Sequence, residues 1–75
     1  MNYSEYIESN HEVMLGKPVI KGTRLTVELI IQKLSEGATH AQLLDAYPSL
    51  SQNDILATLA YASEVISNKT IITTA

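Results

Sequence analysis

The side chains that could do chemistry are few. His11 and His40 are the two histidines, neither has a partner at ligand spacing, and the chain of 75 residues has no cysteine. A zinc site needs His or Cys ligands a few residues apart, and a hydrolytic site needs a nucleophile pattern such as G-x-S-x-G; neither is present. His11 reads as part of a polar turn, and His40 as the solvent-facing first residue of a helix. Glu5, Glu8 and Glu12, at i, i+3 and i+7, would share one face if that segment were helical, as a metal site or an acid/base pair requires. So short a segment has little with which to bury and tune them, and acids on a solvated face are the simpler reading. The expectation is a chain with no catalytic residues, no metal and no cofactor.

Contacts to a macromolecule are the chemistry that remains. Gly16-Lys-Pro-Val-Ile-Lys-Gly-Thr-Arg24 gathers three cations with no acid among them. Lys17, Lys21 and Arg24 are suited to phosphate oxygens, and Thr23 adds a hydroxyl donor. The alternative is a structural arm whose polar groups face water, or whose Arg24 pairs with Glu28 at i, i+4. Gln52 and Asn53, with Thr58 further along, offer amides and a hydroxyl at the start of a helix, and such amides pair bidentately with adenine. That helix has no cation before Lys69 and carries Asp54 and Glu64, so tight readout needs a second copy or an accessory protein.

These residues must be positioned by a small set of elements. Tyr3, Tyr6 and Ile7 suggest a short amphipathic turn or arm over residues 1–12. Val13-Met-Leu15 and Val19-Ile20, separated by Gly16 and Pro18, read as two short strands or a small hairpin within residues 13–24. Thr26 then caps an apolar stripe of Val27, Ile30, Ile31 and Leu34, with Gly37 as its left-handed stop, a helix over about 27–36. Thr39 caps a shorter helix, 40–46, ended by Tyr47-Pro48. Ser51 and Asp54 form the Asp version of a capping box for a helix over about 52–67, expected to bury Ile55, Leu56, Leu59, Ala62 and Ile66. The tail, 68–75, is either disordered or an added strand on a partner's sheet edge. The fold class is thus mostly α: a three-helix bundle with a helix-turn-helix layout, preceded by short β-strands or a small hairpin.

Composition bounds the rest. A single domain of this size buries about 60% of its unfolded surface, and without cysteine a partner chain is the remaining source of stability. A net charge of −3 is the wrong sign for a protein that coats nucleic acid by charge alone, although four of its five cations fall between Lys17 and Lys33. No signal peptide and no membrane-spanning run is legible, and the lack of cysteine fits a reducing compartment, so a cytoplasmic location is expected.

Gly16-Lys-Pro-Val-Ile-Lys-Gly-Thr-Arg24, followed by Val27-Glu-Leu-Ile30, Leu34-x-Glu-Gly37, Leu44-x-x-Tyr-Pro48, Leu50 and Ile55-x-x-x-Leu-Ala-Tyr-Ala62, resembles the domain of unknown function 433 family of small prokaryotic proteins. The likeness covers roughly residues 11–66. It implies a homeodomain-like core preceded by short strands, a homodimer, and the role of an antitoxin that masks a PIN-like ribonuclease toxin and represses their shared promoter by binding its DNA. A stand-alone dimeric regulator of DNA, or a purely structural interaction module, would carry the same fold. One departure stands out: the family's frequent Gly-Gly-Lys-Pro has Leu15 in place of its first glycine.

Overall fold

Hydroxyl and carboxylate caps fix where each helix starts. The computed structural model describes residues 1–9 and 14–69. Its first helix, α1 (Val27–Ser35), begins at Thr26, whose Oγ1 accepts from the Leu29 N–H at 3.0 Å. It ends in a Schellman motif: Ala38 N–H donates to the Lys33 carbonyl, Gly37 N–H to that of Leu34, and Gly37 takes a φ of 99°. The second, α2 (His40–Ala46), starts with a reciprocal box, in which Thr39 Oγ1 accepts from Gln42 N–H and Gln42 Oε1 accepts from Thr39 N–H. Tyr47, ahead of Pro48, leaves helical geometry and ends it.

A tight turn, closed by Leu50 N–H to the Tyr47 carbonyl at 2.9 Å, leads into α3 (Gln52–Lys69). Here the Asp version of the capping box is present in full: Asp54 N–H donates to Ser51 Oγ at 3.1 Å, and Ser51 N–H donates to Asp54 Oδ2 at 2.9 Å. The box lets Asp54, an acid, sit buried at the first turn of the helix.

Ahead of the helices lies a two-stranded antiparallel pair, β1 (Ile7–Glu8) with β2 (Val19–Ile20), in the register Ile7 to Ile20 and Glu8 to Val19. The partner of β2 is thus Ile7–Glu8 and not the stretch around Met14, which instead makes a 3-10 turn, Met14–Gly16, with Leu15 at φ 56°. Left-handed Leu15 and Gly16 break an extended path there, whereas Ile7 has a core to fill and follows a 3-10 turn at Tyr3–Glu5. Glu5 and Glu8 consequently lie on a turn and a strand, not on one helical face, and His11, Glu12 and Val13 fall outside the described residues, as does the tail beyond Lys69. On its other side β2 is joined by Ile20 N–H to the Leu25 carbonyl and Val27 N–H to that of Pro18, so the Lys21–Arg24 turn is folded back against the strand.

The core runs from the strands into all three helices: Ile7, Ile20, Val27, Ile30, Leu43, Leu50, Ile55 and Ala57 are buried together. On α3 the inward stripe is Asp54, Ile55, Ala57 and Thr58, with Tyr61 and Ala62 half-buried beyond. Leu56 and Leu59, expected inside, are each 41% exposed, and Ile66 is more so. The reason is steric. Small Ala57 and the hydroxyl-satisfied Thr58 line the inward side of α3, and at 100° per residue the leucines fall on the opposite side.

Candidate functional site

The cationic turn is built by its own hydrogen bonds. Thr23 N–H donates to the Ile20 carbonyl at 3.0 Å, with Gly22 at φ 78° in the third position, where a left-handed residue is required. Thr23 Oγ1 donates to that same Ile20 carbonyl at 2.8 Å and accepts from Leu25 N–H at 3.0 Å. Its proton is committed inside the turn, so Thr23 serves as a structural residue rather than as a free donor. Lys21 and Arg24 are exposed on this turn.

Lys17 is placed differently. Its Nζ lies 3.2 Å from Glu28 Oε1, across from the first turn of α1, and both side chains are more than half exposed. Glu28 therefore pairs with Lys17, eleven positions away, and not with Arg24 at helical spacing. Such an exposed pair contributes at most about 1 kcal/mol, and Glu28 competes with a phosphate for Lys17.

Gln52 and Asn53 both sit exposed at the start of α3, and Gln52 Nε2 is 2.8 Å from His40 Nδ1. Thr58 does not join them: it is fully buried, its hydroxyl donating to the Asp54 carbonyl at 3.0 Å. The cationic turn meets the α2–α3 turn in a shallow depression lined by Glu8, Gly22, Thr23, Arg24, Leu25 and Ser49. Ser49 precedes Gln52 by three residues, so Arg24 stands beside the loop that delivers the start of α3.

What the residue types alone did not point to is the outer face of α3. Gln52, Leu56, Leu59, Ser63 and Ile66 recur at i, i+4, i+7, i+11 and i+14, one stripe on a helix, and all are exposed. The stripe carries no charge. The next charged group on the helix, Glu64, is held to the side by the Tyr3 hydroxyl, which donates to its carboxylate. That hydrogen bond, with lesser contributions from desolvation and from the charges of Glu64 and Tyr61, raises the Tyr3 pKa above its ordinary value. Tyr3 also meets Tyr61 edge to face, ring centres 5.3 Å apart. An amphipathic pattern in which both faces hold leucine or isoleucine is the signal that could have revealed this second face.

A family model described as "Protein of unknown function (DUF433)" matches residues 7–62, about three quarters of the chain. The chain belongs to the DUF433 family. This DUF433 chain is also similar to a solved structure, the crystal structure of a DUF433 member protein from Anabaena variabilis, with a TM-score of 0.78 and 27% identity. The likeness covers 89% of this chain and 70% of that one. The comparison with curated proteins finds no match. Among the described residues, no helix of this DUF433 chain is long and apolar enough to cross a membrane, and no group of three His, Cys, Asp or Glu side chains is placed to hold a metal ion.

Proposed function

We propose that this chain is a non-enzymatic binding module that acts as the antitoxin of a type II toxin–antitoxin pair, working as a cytoplasmic homodimer that binds and neutralises a PIN-like ribonuclease. The observation that carries the protein-binding part is the outer stripe of α3. Leu56 and Leu59 are exposed on an uncharged helical face, and burying two such side chains against a partner supplies on the order of 2–4 kcal/mol before the costs of association. A groove-reading helix would present cations and polar groups along that face, so the leucines favour a protein there. The antitoxin role itself comes from the resemblance of the sequence, and the exposed stripe is compatible with it.

DNA contact, in this reading, is confined to one end of the molecule. Lys21 and Arg24 on their turn, with Lys17 behind them, are the phosphate ligands, and Gln52 and Asn53 at the start of α3 meet base edges, as the first residues of a recognition helix do in a helix-turn-helix. The depression shared by Arg24 and Ser49 supports this arrangement, because it sets Arg24 beside the α2–α3 turn. A stand-alone regulator of DNA is the second reading, and the same depression favours it.

Co-purification separates the two. The tagged chain should retain an untagged PIN-like ribonuclease encoded beside its own gene, and Leu56→Ser with Leu59→Ser should release it. Failure to retain the ribonuclease, together with sequence-specific DNA binding by the chain alone, would replace the antitoxin with the regulator.

A further inference from the structure

His40 opens α2, Gln52 opens α3, and their side chains meet across the α2–α3 turn at 2.8 Å. An amide nitrogen only donates. With Gln52 Nε2 facing the ring, it donates to His40 Nδ1. Neither residue is buried, and α2 and α3 are already joined through Leu43, Leu50 and Ile55 in the shared core. The bond is therefore not needed to seam the two helices together.

What it does is fix an exposed amide. A free glutamine side chain on a helix samples many rotamers, and ordering it on binding subtracts from affinity. Held through one of its two N–H groups, the Gln52 amide keeps the second N–H and both lone pairs of Oε1 for the outside. A donor and an acceptor side by side on a fixed plane complement the N7 acceptor and N6–H donor of adenine in the major groove. We infer that His40 is a positioning residue that holds the Gln52 amide in the orientation that reads adenine, so that the two residues form one specificity unit at the head of α3. This rests on the DNA-binding part of the reading above.

The test is selection of duplexes from a random-sequence DNA library at low salt by the full chain and its variants, scored by base preference at each position. The wild type should enrich adenine at one position of the site, and Gln52→Ala should lower that enrichment on the order of tenfold. His40→Ala should lose most of the same preference although Gln52 is still present, and His40→Ala with Gln52→Ala should be no worse than Gln52→Ala. His40→Asn, whose Oδ1 stands in for Nδ1 as acceptor, should restore it. Melting curves of the His40 variants should match the wild type, since the bond is not part of the core. Adenine preference unchanged in His40→Ala or in Gln52→Ala, or lost equally in His40→Asn, overturns the inference and leaves DNA binding standing. If the wild type enriches no sequence, base reading itself is wrong, and the inference falls with it.

Discussion

Tyr3 and Glu64 stand 61 positions apart, and the Tyr3 hydroxyl donates a hydrogen bond to the Glu64 carboxylate. Together with the edge-to-face contact of Tyr3 on Tyr61, this ties the first residues of the chain to the outer half of α3. The bond requires the neutral phenol, which is why the Tyr3 pKa is raised. A group whose folded pKa lies above its unfolded value contributes stability fully below the unfolded pKa, about 10 for tyrosine, and loses it as pH rises through the folded value. Tyr3→Phe should therefore be less stable than the wild type at pH 7, and the gap should close above pH about 10. Urea denaturation of both proteins from pH 7 to 11 measures this; a gap that is constant across the range would mean that the hydroxyl contributes nothing through its proton.

Leu15 gives a prediction of the opposite sign. It is 89% exposed and adopts φ 56°, ψ 34°, so it gains almost nothing from packing and bears the left-handed penalty of an L-residue, about 1–2 kcal/mol. Glycine removes that penalty and loses roughly 0.5–1 kcal/mol to the greater freedom of the unfolded chain. Leu15→Gly should thus stabilise the protein by a few tenths to about 1 kcal/mol, read as a higher urea midpoint at unchanged slope. Destabilisation would mean that the Leu15 side chain packs against something in solution.

The two faces of α3 should respond oppositely to truncation. Ile55 is fully buried, and Ile55→Ala should cost about 2–5 kcal/mol, enough to unfold much of so small a domain. Leu59→Ala should cost under about 1 kcal/mol, because that side chain lies on the outer face of the helix and is already 41% exposed. Equal losses at the two positions, by thermal denaturation at a single protein concentration, would place Leu59 in a buried interface, and a concentration-dependent midpoint would identify that interface as one between copies of the chain.

For DNA, the cations should divide by their partners. Lys21→Ala with Arg24→Ala should weaken binding to all sequences alike and lower the slope of log K against log salt by roughly 2, one for each phosphate left without its cation. Lys17→Ala should change the slope less, because Lys17 is paired with Glu28 at 3.2 Å. Fluorescence anisotropy across a salt series checks this, and a slope unmoved by the double substitution would remove the turn from the interface.

Much of the architecture was legible because its punctuation is local. Thr26, Gly37, Thr39, Pro48 and the Ser51–Asp54 box each act within a few residues, so helix starts and stops could be read directly, and the three helices of the structure follow them. Strand pairing is not local: Ile7 and Ile20 meet through the fold, and the nearer apolar run around Met14 misled because it is close in sequence. The inward face of α3 departs from the expected one for a related reason. Hydrophobicity ranked Leu56 and Leu59 above Ala57 and Thr58, but Ala57 and Thr58 are the residues buried in the core, and Thr58 satisfies its hydroxyl on its own helix. In the candidate site, the charges of Lys21 and Arg24 were evident from composition, whereas the commitments of Thr23 to its turn, Lys17 to Glu28 and Gln52 to His40 depend on distances no spacing rule contains.

The most direct test of the account is cleavage of a model RNA by the neighbouring PIN-like ribonuclease, titrated with this chain and with its Leu56→Ser, Leu59→Ser variant. The account predicts that the wild type abolishes cleavage near a stoichiometric ratio and that the variant, folded by circular dichroism, leaves most of it. Cleavage unaffected by the wild type would contradict the antitoxin function, and equal inhibition by the variant would remove the outer face of α3 as the surface that performs it.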